Sequence, residues 1–195
     1  MLKNSFDEPL KILQLLSRFP FRWGICGGWA LDLFVGRISR PHKDVDVAIL
    51  RKDQLAFREY LTAGEWEAGV TSHGRLQPWV DGHFLELPMH SVQCKATSVN
   101  SANLEVLLNE ADETHFRFRR NQTIRLALSS AFVRCERGVP ILAPGIVLLY
   151  KSKSKSAEDD ADFTNCVPYL GDSSREWLKA SLRTLDPTHA WLAKL

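Results

Sequence analysis

The sequence predicts an α/β (α+β) fold, a mixed β-sheet with flanking helices and a C-terminal helical region, and three observations carry that prediction. A short apolar run over residues 21–26 ends at Gly27-Gly28 and is followed by the helix-like stretch WALDLFV. Residues 44–50, DVDVAIL, alternate acidic and β-branched positions before turning apolar, which is the period of a strand. From Pro144 onward apolar residues recur at helical spacing between Ser, Pro and Gly breaks. At 195 residues and 45% apolar content the chain can bury one core, with at most a small helical appendage. The expected division is a core over residues 1–140 and a helical region over residues 141–195, packed on it as a single compact unit.

Taken in order, Asp7 and Pro9 start an amphipathic helix whose apolar face is Leu10, Leu13, Leu15, Leu16 and Phe19, with Pro20 as its stop. Residues 21–26 then read as a strand, Gly27-Gly28 as a turn, and WALDLFV as a helix closed by Gly36. Asp44 and Asp46 open the next strand. Asp53 is placed to cap a helix over QLAFREYLTA that Gly64 ends. The following forty residues scatter Trp, Gly, Pro and His among short alternating runs and are expected as sheet and loop. ANLEVLLNE, residues 102–110, has leucines that would also permit a helix, whereas Val106 and the short length favour a strand. HFRFRR, residues 115–120, alternates aromatic and basic residues and should pair with it. KSKSKS, residues 151–156, follows an apolar helical run directly and is too short to separate domains.

Charge and cysteine usage narrow the function classes. With 25 Lys and Arg against 23 Asp and Glu, the net charge of +2 is too close to neutral for a general nucleic-acid or membrane-surface binder. Any attraction for polyanions must be local. Cys26, Cys94, Cys135 and Cys166 stand far apart without a CxxC or Cys/His pattern, so they indicate neither a zinc site nor a disulfide framework and read as reduced thiols. The N-terminus has only a brief apolar run interrupted by Lys11 and Gln14, without a small-residue cleavage pattern, and no run approaches a membrane span. The expectation is a cytoplasmic protein with no membrane contact.

Two short patterns carry the chemistry. Asp44 and Asp46, two apart on a strand, project from one face while Val45 and Val47 pack on the other. Side by side they repel unless a cation sits between them, and oxygen ligands of this kind suit magnesium. An isolated Asp-x-Asp is also the pattern of a solvent-facing edge strand. Gly27-Gly28 closes a strand and opens a helix, where backbone N–H groups and the positive helix end attract phosphate. What joins the two is their order: strand, glycine pair, helix, short basic connection, acidic strand.

The stretch GGWALDLFVGRISRPHKDVDVAIL resembles the signature of the nucleotidyltransferase superfamily, particularly its aminoglycoside and lincosamide adenylyltransferase-like branch (the aminoglycoside-2''-adenylyltransferase type). The shared elements are the Gly-Gly-Trp-Ala opening, Gly36-Arg37, the Arg-Pro-His run of residues 40–42 and the acidic pair; looser similarity continues through MHSVQCK, LEVLLNEAD, FRFRRN, LLYKSK and DDADF. The resemblance implies Mg2+ held by two or three carboxylates and transfer of a nucleoside monophosphate, AMP from ATP above others, to a hydroxyl of a small, antibiotic-like acceptor with release of pyrophosphate.

It further implies Asp44 and Asp46 as metal ligands and Glu105, the acid interrupting ANLEVLLNE, as a third ligand or as the base for the acceptor proton; an exposed edge-strand glutamate is the alternative, and Glu110 a weaker substitute. Gly27 and Gly28 would hold phosphate through the backbone, because Trp29 stands where broader relatives place a serine. Arg40 or Arg37 would grip the triphosphate with a guanidinium fork. His42 would orient a carboxylate or touch phosphate, and Lys151 and Lys153 would reach the donor phosphates. The chain departs from the branch at Glu158, where many relatives have a lysine before the Asp-x-x-Asp-Phe run. Two rivals share these residues: a toxin-type enzyme modifying a protein or tRNA, against which the near-neutral charge argues, and a catalytically silent nucleotide-binding module.

Overall fold

The structure is a computed structural model that describes residues 5–64, 66–72, 75–97, 103–154 and 156–195. The first four residues of the leader reading, Ala102 of the candidate strand and Lys155 of the KSKSKS run lie outside them.

The chain opens with α1 (Asp7–Leu15), β1 (Trp23–Cys26), α2 (Gly27–Val35) and β2 (Val45–Leu50), as the hydrophobic spacing predicts. α1 ends earlier than its apolar spacing suggests; its buried positions are Pro9 and Ile12, and Leu16 and Phe19 enter the core from beyond its end. α2 begins at Gly27 with no intervening turn and stops at Gly36, which adopts the left-handed conformation with φ 81°. A 3-10 turn over Arg51–Asp53 leads into α3 (Gln54–Thr62). Asp53 stands at the N-cap as expected but makes no side-chain cap hydrogen bond.

The middle of the chain is sheet: β3 (Trp66–Ser72), β4 (Arg75–Pro78), β5 (Ser91–Ala96), β6 (Asn103–Ala111) and β7 (His115–Arg117). ANLEVLLNE is therefore a strand, and HFRFRR does pair with it, Glu110 opposite Arg117 and Ala111 opposite Phe116. β8 (Arg125–Ala127), the short α4 (Leu128–Ala131), β9 (Phe132–Arg134) and β10 (Pro140–Leu142) follow, then α5 (Pro144–Lys151), α6 (Ala157–Cys166) and α7 (Asp172–Leu185). HAWLAKL closes as a 3-10 helix over Ala190–Lys194.

The strands form one mixed sheet in the order β4-β3-β5-β6-β2-β1-β10-β9, with β7 and β8 continuing from the far end of β6. β2 and β6 lie parallel at its centre, and so do β1 and β10. Central parallel strands are covered on both faces, which explains why Val47, Ala48, Ile49, Leu104 and Ile141 are fully buried. The division at residue 140 falls inside β10. All four cysteines are buried free thiols. Among the described residues no helix is long and apolar enough to cross a membrane.

Candidate active site

The site forms where β1, β2 and β6 run side by side. Register sets Cys26 beside Asp46 and Asp46 beside Glu105, so these side chains share one face of the sheet. Asp44 precedes the first residue of β2 and is exposed. Burial, then the neighbouring Glu105 and Asp44 charges, push the Asp46 carboxyl up to about 7, against the opposing pull of Lys151.

The two glycines at the start of α2 are required by what lies against them. Gly27 has φ 64°, a backbone conformation that side chains other than glycine rarely adopt, and a Cβ there would overlap Asp46 Oδ2. A Cβ on Gly28 would stand 2.6 Å from Arg40 Nη2 and 2.7 Å from His42 Nδ1. The helix start therefore has a carboxylate on one side and a guanidinium and an imidazole on the other. Cys26, at the N-cap, supplies no side-chain cap, which leaves this helix end to anionic oxygens from elsewhere.

Buried acids hold the basic groups. His42 Nε2 lies 2.7 Å from Asp32 Oδ2, and the ring packs on Trp29 at 4.4 Å between centroids. Asp32 also accepts from the Ser39 hydroxyl at 2.6 Å and the Ser39 amide at 3.1 Å, which fixes the basic connection. Arg40 donates from Nε and Nη2 to the two oxygens of Asp162, each at 3.0 Å. Lys151, at the end of α5, lies 2.9 Å from Asp162 Oδ2 and 2.5 Å from Asp159 Oδ1. The acidic first turn of α6 that departs from the branch pattern is consistent with the helix dipole and with the Ser156 cap, whose side chain accepts from the Asp159 amide.

Beside the carboxylates lies a cavity of about 520 Å³, walled by Gly27, Leu107, Arg119, Tyr150, Lys151 and Lys153 among others. Lys153 is exposed at its rim. Arg37, the alternative to Arg40, borders both a hollow with Phe6 and Arg137 and a small one with Asp32, Ser39 and Asp162. Glu110 is paired with Arg51 at 2.6 Å, a structural contact. His90 lines the cavity, whereas Trp79 is core and Asp81 pairs with Arg58 at the surface.

Among the described residues no three His, Cys, Asp or Glu side chains close on one point as a ready-made cation cage, and Asp44 lies outside the paired strand. The donor set still fits magnesium, which takes one or two carboxylates and completes its shell with water and substrate phosphate. The raised Asp46 carboxyl marks crowded negative charge that a divalent cation would relieve.

Sequence reasoning missed Asp32, Asp162 and Arg119. Asp32 and Asp162 are each 3% exposed. Asp32 is a lone acid within the apolar stretch WALDLFV, whereas Asp162 is one of four acids in α6; in both cases the partners are set by tertiary contacts and no spacing reveals them.

The family model of aminoglycoside-2''-adenylyltransferase matches residues 9–101, which include the glycine pair, Arg40, His42 and both aspartates and stop short of Glu105. No curated protein sequence matches the chain. Among solved structures, the lincosamide antibiotic adenylyltransferase LnuA, lincomycin-bound, is similar with a TM-score of 0.59 at 17% identity, covering 86% of this chain and 100% of that one. ANT(2'')-Ia in complex with adenylyl-2''-tobramycin gives a TM-score of 0.58 at 16% identity, covering 90% and 95%. An antigenic nucleotidyltransferase-like protein from Paracoccidioides brasiliensis gives 0.51 at 16% identity, covering 98% and 93%. The structural likenesses show the fold, and the family model bears out the resemblance read from the sequence.

Proposed function

We propose that the chain is a nucleotidyltransferase of the aminoglycoside and lincosamide adenylyltransferase-like branch that transfers AMP from ATP to a hydroxyl of a small antibiotic-like molecule, with Mg2+ held by Asp44 and Asp46 and with Glu105 as a third ligand or as the base for the acceptor proton. The observation that carries this reading is the adjacency of Asp46 and Glu105 in register, pressed against a helix start whose second glycine faces Arg40 and His42.

In the proposed reaction the acceptor oxygen attacks the α-phosphorus, the bond from that phosphorus to the bridging oxygen breaks, and pyrophosphate departs with the electron pair. The hydroxyl proton passes to Glu105 where that carboxylate is the base, and to solvent where it is a metal ligand. Mg2+, when bound, offsets charge on the phosphate oxygens. The first amides of α2, with Arg40, Lys151 and Lys153, hold the phosphates, Arg40 through its fork of N–H donors. His42, fixed by Asp32, presents its other ring nitrogen to Gly28 and orients the same phosphate face. The cavity beside Gly27 takes the nucleoside against Leu107, Leu142 and Val147. The lincomycin and adenylyl-tobramycin carried by two fold relatives support a drug-like acceptor. Four unpaired thiols suit the reducing cytoplasm, where ATP is supplied.

Pyrophosphate release, followed with each of the four nucleoside triphosphates against a panel of hydroxylated antibiotics, tests the reading. The expected result is turnover with ATP that requires Mg2+ and drops on the order of a hundred- to a thousandfold in Asp46→Asn. Release that is indifferent to Mg2+ or undiminished in that variant would remove the site assignment. Labelling of a macromolecule in lysate by radioactive ATP, with no small acceptor accepted, would move the acceptor to the toxin type.

A further inference from the structure

Arg40 and Lys151 come from distant parts of the chain, the connection before β2 and the end of α5, and one nearly fully buried carboxylate touches both. Asp162 Oδ1 accepts from Arg40 Nε at 3.0 Å, while Oδ2 accepts from Arg40 Nη2 at 3.0 Å and lies 2.9 Å from Lys151 Nζ. Two cations sharing one oxygen would repel and separate without it. Burial by itself would raise the Asp162 carboxyl, but the hydrogen bonds from Arg40 and Lys151 outweigh it and hold the group below the usual carboxylate range.

The donor inventory shows what remains for a ligand. Arg40 carries about five N–H donors, and Asp162 and the Pro41 carbonyl take one each from Nε, Nη2 and Nη1, leaving a second hydrogen on both terminal nitrogens. Lys151 carries about three, of which Asp159 and Asp162 occupy two. Arg40 Nη2 stands 2.6 Å from where a Cβ on Gly28 would be, so that nitrogen and its remaining hydrogen lie beside the helix start.

We propose that Asp162 is a positioning residue for donor binding, joining Arg40 and Lys151 into one two-cation clamp whose unused N–H groups grip the donor's phosphates beside Gly28. The proposal rests on the phosphate role assigned above to Arg40 and Lys151. Asp162 never meets the donor; it fixes the angle between the guanidinium plane and the ammonium, so that both engage one polyphosphate without further ordering.

The test is titration of the full chain with Mg2+ and ATP by calorimetry, in the parent and in Asp162→Asn, Arg40→Ala, Arg40→Lys, Lys151→Met and their combinations. Asp162→Asn should weaken ATP binding about tenfold or more while thermal unfolding stays cooperative. In an Arg40→Ala, Lys151→Met background the same substitution should change affinity less than about twofold, because the groups it acts through are gone. A nitrogen-15 spectrum should show the Arg40 Nε–H protected from exchange in the parent and exposed in Asp162→Asn. Should that variant fail to fold, Arg40→Lys decides: it keeps the charge, gives up the two-point contact, and should lose nearly as much affinity as Arg40→Ala.

Unchanged ATP affinity in Asp162→Asn while Arg40→Ala and Lys151→Met each weaken it would overturn the clamp and leave the phosphate reading standing, as would an equal effect in both backgrounds. Arg40→Lys binding ATP as tightly as the parent would overturn it too. Unchanged affinity in both Arg40→Ala and Lys151→Met would overturn the phosphate reading and the clamp together.

Discussion

Asp46 sits half-buried between Gly27 and Glu105, and its proton is held more tightly in the folded chain than in the unfolded one. The sign of the consequence follows directly. The unfolded chain loses this proton in the usual carboxylate range near 4, whereas the folded chain keeps it to about 7. Metal-free stability should therefore fall as pH rises between those values and level off above, by up to a few kcal/mol. Urea unfolding in chelator across pH 4 to 9 reads this, and Asp46→Asn should flatten the slope. A slope of the opposite sign would show that Asp46 is not the crowded group. Gly28→Ala is the companion prediction. The added methyl meets Arg40 Nη2 at 2.6 Å and the His42 ring, which Asp32 and Trp29 hold in place. Stability should drop about 1–3 kcal/mol by overpacking, and ATP affinity should fall with it. Wild-type affinity in that variant would place phosphate elsewhere.

At the scale of elements, the parallel pairing of β2 with β6 sets which acids meet. A register slip of one residue would turn Glu105 to the opposite face and leave Asp46 without a neighbour. α6 plays the corresponding part for the cations. It is seated by Phe163, fully buried and stacked on Trp191 at 4.2 Å, with the Trp191 indole N–H donating to Asp160 at 2.7 Å. Phe163→Ala should cost about 3–5 kcal/mol of stability in urea unfolding. Because α6 carries both Asp159 and Asp162, the same variant should weaken ATP binding at temperatures where it is still folded. Intact binding in a destabilised variant would uncouple the helix from the site.

For the whole molecule, the sheet crosses the boundary that composition suggests at residue 140. β10 pairs in parallel with β1, Ile141 beside Ile25, and α5 packs against α2, α6 and α7. A chain ending at residue 140 would leave the β1 edge open and Ile25 uncovered. Such a fragment is expected to lack a cooperative thermal transition, while the full chain should unfold in a single one whose midpoint rises with Mg2+ and ATP. Two separate transitions in calorimetry would mean that the C-terminal helices fold independently of the core.

The sequence by itself determined the local elements around the candidate site. The period of DVDVAIL, the glycine pair before WALDLFV and the Val106 strand are readable because side-chain spacing and backbone preference act within a few residues. ANLEVLLNE and HFRFRR also found each other as their alternation suggests, since strands so near in the chain pair at little entropic cost. Only the tertiary structure decided what each acid faces. Asp32 and Asp162 hold His42 and Arg40 across gaps of 10 and 122 residues, and Glu110 goes to Arg51. Such contacts are fixed by the packing of α2, α5 and α6 on the sheet, and charge pairing at that range leaves no periodic trace along the chain.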